Sequence, residues 1–355
     1  MAAGRNVAAV TSLPQVHPKP GLPSAVTIYE VGPRDGLQAE KAIVPLGVKL
    51  TLIDRLGEAG LPIIEATSFV SPRWVPQLAD ADALFTRLER RAGVRYPVLV
   101  PNQRGLDRAL AVGVEEIAVF VSATERFATE NLGTTLDGAI AMAAPVIKQA
   151  RDKGLRVRGY VSMCFGDPWE GKVAPEQPAS VAAQLADLGC ATISLGDTIG
   201  VATAGQVGTV LDAVDAAGVA RSQIALHFHD TYGQALANVL AGLEAGVTEF
   251  DASAGGLGGC PYARSATGNL ATEDLVWMLE GLGIPTGIDL DLLVRTSSWL
   301  AEQMGRPPPS RVVAALRGSL GALASEQGQE VAWLRSTTST STAVSPRPGQ
   351  SSRPG

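Results

Sequence analysis

The sequence contains little cysteine. Its three cysteines, Cys164, Cys190 and Cys260, are odd in number and far apart, and no C-x-x-C spacing occurs. A disulfide framework needs paired cysteines and a thiolate zinc site needs closely spaced ones, so neither organises this fold. We therefore expect the protein to work in a reducing compartment.

The chain also lacks a positive charge excess and long apolar runs. Lys and Arg together number 29 against 35 Asp and Glu, a formal net charge of −6. This balance excludes the large basic surface that binds nucleic acid or an anionic membrane. No run of about 18 consecutive apolar residues occurs. The first two dozen residues have no signal-peptide core. We predict a cytoplasmic protein, the alternative being a mitochondrial presequence in residues 1–24, which contain no Asp or Glu.

Apolar residues are abundant enough for a large core. Hydrophobic residues make up 46% of the chain and charged residues 18%, which excludes a wholly disordered protein. A length of 355 residues admits one α/β barrel of about 250 residues with additional segments. We predict an irregular leader over residues 1–24, the barrel over 25–285, appended helices over 286–334 and a disordered Ser, Thr, Pro and Gly tail over 335–355.

Short β-rich runs alternate with longer helical stretches eight times along the chain. Eight such units over about 260 residues predict an α/β protein with a (β/α)8 TIM barrel and an appended C-terminal helical region. An open dinucleotide-binding sheet would show G-x-G-x-x-G after the first strand, where residues 32–36 read GPRDG. The predicted strands cover residues 26–32, 62–69, 96–101, 116–123, 156–165, 192–198, 223–230 and 249–256.

Two of the predicted helices have clear sequence signals. Between Thr231 and Gly246, leucines and a valine recur at i, i+3, i+4 and i+7, which predicts one apolar stripe that packs on a sheet. Thr272 is a predicted N-cap, because Glu273 and a second acidic residue follow it in the first turn.

Candidate metal ligands gather at the C-terminal ends of the predicted strands, where barrel enzymes build their sites. His227 and His229 are two residues apart on a strand, so both rings project towards the barrel mouth. They could be metal ligands or a hydrogen-bonded pair in a polar barrel end. Asp35 after the first strand and Asn269 after the eighth could meet them, because these strands are neighbours in a closed barrel. Two nitrogens and two oxygens without thiolate predict Mg²⁺ or Mn²⁺, with Zn²⁺ as a further candidate.

Four more residues at the same barrel end are candidates for catalysis. The Arg34 guanidinium would stabilise an oxyanion on a substrate, although an Arg-Asp pair after a strand also forms solvated turns. Cys260 lies near four glycines and could deliver a proton to a carbanion, although most lone cysteines are inert buried residues. Glu65 and Asp197 could orient a ligand, act as acid or base, or serve as interior hydrogen-bonding groups.

Together, five motifs resemble the 3-hydroxy-3-methylglutaryl-CoA lyase family over roughly residues 26–317. The resemblance implies a metal-dependent barrel that cleaves 3-hydroxy-3-methylglutaryl-CoA to acetyl-CoA and acetoacetate. By position it implies Asp35, His227, His229 and Asn269 as metal ligands, Arg34 as stabiliser of the enolate oxygen and Cys260 as the acid. The motifs are GPRDGLQ at 32–38, EATSFVSP at 65–72, SLGDTIG at 194–200, HFHDTYGQALAN at 227–238 and GGLGGCPYARSATGNLATED at 255–274.

The implied chemistry is a retro-Claisen cleavage, and Asp35, His227 and Asp197 all remain candidates for its base. Three other functions stay open: a lyase for a related 3-hydroxyacyl-CoA, a Claisen-type acyl-CoA synthase, and a catalytically silent binding barrel. The expected partner is an acyl-CoA substrate, with no nucleic acid or membrane partner, and the resemblance suggests a homodimer.

Overall fold

The computed structural model describes residues 14–260 and 263–317, with backbone only for Cys260 and residues 263–267. Among these residues, no helix is both long and apolar enough to cross a membrane. The strands are β1 Thr27–Glu30, β2 Ile63–Ile64, β3 Thr67–Ser68, β4 Val98–Leu99, β5 Glu116–Ser122, β6 Arg156–Ser162, β7 Thr192–Asp197, β8 Ile224–Phe228, β9 Glu249–Ala252, β10 Gly259–Cys260 and β11 Ala263–Thr267.

Helices alternate with these strands. The α-helices are α1 Leu46–Glu58, α2 Ala81–Arg87, α3 Gln103–Ala111, α4 Glu125–Phe127, α5 Leu136–Asp152, α6 Glu176–Leu188, α7 Ala204–Ala216, α8 Ala235–Glu244, α9 Thr272–Gly281 and α10 Leu290–Met304. Strands β1 to β9 form one parallel sheet in the order β2-β1-β9-β8-β7-β6-β5-β4-β3. The short β10 and β11 pair with each other, antiparallel, outside that sheet.

The sheet closes through β2 and β3, which are two halves of one predicted strand. Tyr29 pairs with Ile63 in β2, and Thr67 in β3 pairs with Val98. The predicted strand 62–69 is interrupted because the chain passes from one neighbour to the other between its halves. The predicted (β/α)8 TIM barrel is therefore confirmed. The sheet has nine short strands because the second of the eight barrel strands is divided into β2 and β3.

The helical layer packs on the outward face of the strands. In α8, Val239 and Leu243 are fully buried, as the apolar stripe predicts, whereas Leu236 is only half-buried. This helix begins at Ala235 and not near Thr231, because Asp230 Oδ1 accepts the Ala235 N–H at 3.0 Å across an intervening turn.

The predicted N-cap at Thr272 is wrong by one position. Ala271 is the N-cap residue of α9, and the Thr272 hydroxyl donates to Glu30 Oε2 at 2.6 Å. Glu273 is fully buried and accepts hydrogen bonds from the Gly255 N–H and the Ser297 hydroxyl. The two residues therefore connect α9 to β1 and α10 and do not form a solvent-facing first turn.

The segments that precede and follow the barrel in the chain lie where the leader and the appended helices are predicted. Residues 14–24 run beside α9, where the His17 N–H donates to Gly281 O at 2.8 Å. Helix α10 and a helical stretch at 311–317 lie where appended helices are predicted, and the Asp289 N–H donates to Ala59 O. The predicted tail, residues 318–334 and the first part of the leader lie outside the described residues. The exact domain boundaries stay predictions.

Two helix glycines give a matched test of packing between α8 and the sheet. At Gly242 an added Cβ would lie 2.6 Å from Leu226 Cδ1, whereas at Gly208 in α7 it would meet no atom within 4 Å. We expect Gly242→Ala to lower the free energy of unfolding by about 1–2 kcal/mol through overpacking. Gly208→Ala should raise it by about 0.5–1 kcal/mol through helix propensity. Urea unfolding measures both, and changes of the same sign would contradict this packing.

The buried Glu273 carboxyl should make stability depend on pH. Burial raises its pKa from 4.5 to about 8. Between these values the native state holds a proton that the unfolded chain has lost, so this group lowers stability as pH rises from about 4.5 to 8. We expect Glu273→Gln to gain a few kcal/mol relative to wild type between pH 5 and pH 8.5 in urea unfolding. Parallel stability curves for the two proteins would contradict the prediction.

Candidate metal centre and active site

The first part of the site is a tight turn directly after β1. Gly32–Gly36 form one π-helical turn with Pro33 at its start. Both glycines are needed for close approach, because a Cβ at Gly32 would lie 2.5 Å from Glu30 Oε1 and one at Gly36 would lie 2.8 Å from Leu257 Cβ. The turn directs two adjacent side chains to the same side, so that Arg34 Nη1 donates to Asp35 Oδ1 at 2.6 Å.

The end of strand β8 and the residue directly after it supply two imidazoles. The His227 and His229 rings lie on one side with their centroids 5.2 Å apart, while the intervening Phe228 is buried against Phe165 with centroids 5.8 Å apart. His229 also forms an antiparallel bridge with Asn269, which brings the segment before α9 to the same place.

Asp35, His227 and His229 form a group whose potential ligand atoms all lie within 4.8 Å of one another. Asn269 Nδ2 donates to Asp35 Oδ2 at 2.9 Å and to Leu257 O at 3.1 Å. Asn269 Oδ1 and His229 Nδ1 are buried and have no hydrogen-bond partner within the described part of the chain. Buried polar atoms are rarely left unpaired, so these two fit the requirements of a cation ligand set. The donors suit a divalent metal ion.

The Arg34 guanidinium is held beside this group by a second carboxylate. Arg34 Nε donates to Glu65 Oε2 at 2.7 Å, and the Tyr160 hydroxyl donates to the same oxygen at 3.2 Å. The Arg34 side chain is 8% exposed and Glu65 is fully buried. Glu65 therefore fixes the orientation of the Arg34 guanidinium by accepting the hydrogen bond from Nε. The guanidinium has five N–H donors, and Nη1 donates to Asp35.

Asp197 and the segment around Cys260 complete the predicted set. Asp197 accepts the backbone N–H groups of Val201 and Ala202, so it holds the loop after β7. The Cys260 side chain lies outside the described residues. Its backbone belongs to β10, which follows glycines 255, 256 and 258, all with positive φ.

A family model described as HMGL-like matches residues 25–300. The mitochondrial hydroxymethylglutaryl-CoA lyase of Bos taurus is 50% identical over 82% of this chain and 90% of its own length. The chain belongs to the hydroxymethylglutaryl-CoA lyase family.

Other family members agree with this assignment. The mitochondrial lyase of Arabidopsis thaliana is 49% identical over 86% of this chain, which spans 65% of that protein's length. The cytoplasmic 3-hydroxy-3-methylglutaryl-CoA lyase of Danio rerio is also 49% identical, over 84% of this chain and 89% of its own. The predicted class of enzyme, a carbon–carbon lyase, is thereby confirmed.

Solved structures of the family share the fold. The hydroxymethylglutaryl-CoA lyase of Pseudomonas aeruginosa is 47% identical and superposes with a TM-score of 0.82, covering 84% of this chain and 99% of that one. A lyase of Acinetobacter baumannii, solved in complex with coenzyme A and 3-methylmalate, is 39% identical with a TM-score of 0.78, covering 82% and 95%.

In this family member, sequence reasoning missed the carboxylate that supports His227. Asp251 in β9 pairs in register with His227, and its Oδ2 lies 3.2 Å from His227 Nδ1. The same carboxylate accepts from the Ser194 hydroxyl and ion-pairs with Arg158. A hydrogen bond at Nδ1 leaves Nε2 as the free ring nitrogen. An acidic residue in the middle of a buried strand was the available signal.

The ionisation states suit cation binding. Burial raises the pKa of Asp35, but Arg34 and the two histidines outweigh it and lower that pKa to about 2, so the carboxylate is charged at neutral pH. Burial and the nearby His227 lower the pKa of His229 to about 3, which keeps its imidazole neutral. Burial lowers the pKa of His227, but the Asp251 hydrogen bond and charge outweigh it, and the net shift is upward.

Asp251 gives a test of metal affinity with a matched control. Both Asp251 and Glu249 pair with the Arg158 guanidinium, but Asp251 also contacts His227. We expect Asp251→Asn to weaken Mn²⁺ binding about 10–100-fold, because the histidine loses its orienting partner. Glu249→Gln should keep wild-type affinity while losing a comparable ion pair. Titration calorimetry measures the Mn²⁺ affinity of both variants. Equal losses of Mn²⁺ affinity in the two variants would show that Asp251 contributes only to the stability of the fold.

Proposed function

We propose that this protein is a metal-dependent lyase that cleaves 3-hydroxy-3-methylglutaryl-CoA to acetyl-CoA and acetoacetate. The names of relatives at 49–50% identity support the substrate. The observation that carries the chemistry is the Asp35, His227 and His229 group, with ligand atoms within 4.8 Å, directly beside the Arg34 guanidinium. A cation-binding group next to a fixed guanidinium suits a reaction in which negative charge develops on a substrate oxygen.

The residues proposed to hold the cation are Asp35, His227, His229 and Asn269. This donor set contains no thiolate, which favours Mg²⁺ or Mn²⁺ and leaves Zn²⁺ as the third candidate. A divalent cation bound there would supply Lewis-acid polarisation and orientation of the oxygen atoms of the substrate.

The proposed reaction involves two proton transfers and breaks one carbon–carbon bond. A base removes the proton from the C3 hydroxyl, the C3–O bond becomes the ketone of acetoacetate, and the electron pair of the C2–C3 bond remains on C2. The resulting enolate of acetyl-CoA develops charge on its oxygen, which Arg34 stabilises. Cys260 then donates a proton to C2, so no oxidant or reductant is needed.

The pKa values separate the three candidate bases. Asp35, with a pKa of about 2, is too weak a base for an alcohol. Burial raises the pKa of Asp197 to about 6, and Asp251 raises that of His227. These two are therefore better matched to proton removal near neutral pH. In the proposed ligand set His227 would use Nε2 for the cation and Nδ1 for Asp251, which leaves no nitrogen to accept a proton, whereas each Asp197 oxygen accepts only a backbone N–H and keeps a free lone pair; this favours Asp197.

Three further predictions remain proposals. A homodimer and a cytoplasmic location are proposed from the family resemblance and the composition, respectively. The relatives carry both mitochondrial and cytoplasmic names, so location is an open choice between these two. An acyl-CoA as the small-molecule partner is supported by the coenzyme A complex of the Acinetobacter relative.

A coupled acetoacetate assay tests the separate roles of the histidine and the thiol. We expect His227→Ala and Cys260→Ala each to lose about 10²–10⁴-fold in kcat, because the first variant loses a cation ligand and the second loses the proposed general acid. Bound metal, measured by elemental analysis, should fall only in His227→Ala. Matched controls are His17→Ala, at an exposed histidine, and Cys190→Ala, at a buried cysteine. Equal metal loss in His227→Ala and Cys260→Ala would contradict the separate roles of the two residues. Full turnover by enzyme from which a chelator has removed the metal would contradict the metal dependence.

A further inference from the structure

Tyr29 in β1 is a tyrosine buried in the barrel interior, below the turn that carries the active-site arginine. Its side chain is 1% exposed and packs with Val31 and Ile63. The residue before it belongs to the main core on the other face of the sheet, as the alternation of a strand requires. The Arg158 guanidinium lies 4.1 Å from the centre of the Tyr29 ring. The ring is therefore held between charged groups and cannot leave the barrel interior.

The Tyr29 hydroxyl is a buried donor without an acceptor. It has no hydrogen-bond partner among the residues that the structure describes. Burial raises its pKa well above the usual value, and nearby Tyr160 and Glu65 raise it further, so the oxygen keeps its proton at neutral pH. Buried hydroxyl groups are rarely left unpaired, and an ordered water is the usual partner where no protein group is in reach.

Glu65, the carboxylate that orients Arg34, has one oxygen in the complementary state. Its Oε2 accepts hydrogen bonds from Arg34 Nε at 2.7 Å and from the Tyr160 hydroxyl at 3.2 Å. Its Oε1 is buried and has no partner within the described part of the chain. A carboxylate held through one oxygen alone can still rotate about its terminal bond, because that torsion is soft.

The sheet register places these two unpaired groups diagonally across neighbouring strands. Tyr29 pairs with Ile63, and Glu65 follows two residues later on the same face. The pairing continues past β2, because the Glu65 N–H donates to Glu30 O at 2.8 Å. Strands about 4.8 Å apart with a rise of about 3.3 Å per residue put the Tyr29 and Glu65 Cα atoms roughly 8 Å apart. Side chains of this length can share one water molecule across that distance.

We propose that one water molecule binds between the Tyr29 hydroxyl and Glu65 Oε1, and that Tyr29 is thereby a positioning residue for Arg34. The hydroxyl donates to the water, and the water donates to Oε1. Both oxygens of Glu65 are then held, so the carboxylate keeps Arg34 Nε in one direction. The catalytic consequence rests on the proposed function, in which Arg34 stabilises the enolate oxygen, whereas the water site itself does not.

The consequence for the reaction is specific to the chemical step. The charge that Arg34 stabilises develops only as the carbon–carbon bond breaks. A guanidinium that is less well oriented therefore stabilises the transition state less, while binding of the intact thioester is unaffected. Loss of the Tyr29 hydroxyl should lower kcat and leave KM unchanged.

Tyr29→Phe is the direct kinetic test, because it keeps the ring beside Arg158 and removes only the hydroxyl. With 3-hydroxy-3-methylglutaryl-CoA we expect kcat to fall about five- to tenfold and KM to stay within about twofold of wild type. The matched control is Tyr96→Phe, which also removes a buried hydroxyl, one that accepts the Arg91 N–H on the helical side of the sheet. It should keep wild-type kcat. Wild-type kcat in Tyr29→Phe, or an equal loss in both variants, would overturn the proposal.

Thermal unfolding tests the hydrogen bond without any reaction. If the Tyr29 hydroxyl is bonded to a bound water, Tyr29→Phe should lower the melting temperature by about 1–3 °C. If the hydroxyl is unpaired in the native state, its removal relieves a desolvation cost and the melting temperature should rise. A rise would therefore overturn the water site.

High-resolution crystal structures of wild type and Tyr29→Phe show the water directly. Wild type should contain a water within about 3 Å of both Tyr29 Oη and Glu65 Oε1, and the variant should lack it. Thr67 is the rival partner, because it lies two residues after Glu65 and its hydroxyl is also buried without a partner in the described residues. A barrel interior without water, or a water held by Thr67 in place of Tyr29, would refute the proposal.

Failure of this inference and failure of the proposed function give different results. If wild type releases no acetoacetate from the thioester, the proposed function is wrong, and the crystal structures and melting temperatures still decide the water site. If wild type cleaves the thioester and Tyr29→Phe does so with the same kcat, the positioning role of Tyr29 is wrong and the proposed function stands.

Discussion

The carboxylate of Asp251 is the group on which the site depends. It lies in the barrel interior and accepts hydrogen bonds from the Arg158 guanidinium, the Ser194 hydroxyl and the His227 ring. Arg158 is itself 2% exposed, with its guanidinium 4.1 Å from the centre of the Tyr29 ring. A buried guanidinium is tolerated only when carboxylates pair with it, and removing one partner of such a pair costs about 3–5 kcal/mol. The same carboxylate therefore stabilises the barrel core and orients a candidate metal ligand.

Two further buried carboxylates hold the opposite side of the site. Glu30 accepts the N–H groups of Gly32 and Ala254, and Glu273 accepts that of Gly255. The first of these contacts fixes the turn that carries Arg34 and Asp35. The other two fix the start of the glycine-rich segment that leads to Cys260. Burial raises the pKa of Glu30 to about 7 and that of Glu273 to about 8, so solvation energy is given up to keep both carboxyls in place.

The rim above the site is divided by charge. In the loops that follow the first barrel strands, Glu40, Asp80 and Asp82 are paired with cations, whereas Lys41 and Arg73 form no ion pair with a described residue. Over β5 and β6, carboxylates surround Trp169. A net charge of −6 hides this division, because composition reports only the sum over the chain. The local distribution depends on loop contacts such as those of Gln77 with Ala42 and Val44.

The sequence by itself determined the repeat of eight strands and helices, and the common side to which His227 in β8 and His229 directly after it project, because these follow from local periodicity. It did not determine the Asp35 and Arg34 orientations, which the π-helical turn directly after β1 sets. The split of the second strand, the position of Thr272 inside α9 and the support of His227 by Asp251 also came only from the tertiary structure. Each depends on contacts between residues distant in sequence, formed when the barrel closes, and no local pattern encodes that proximity.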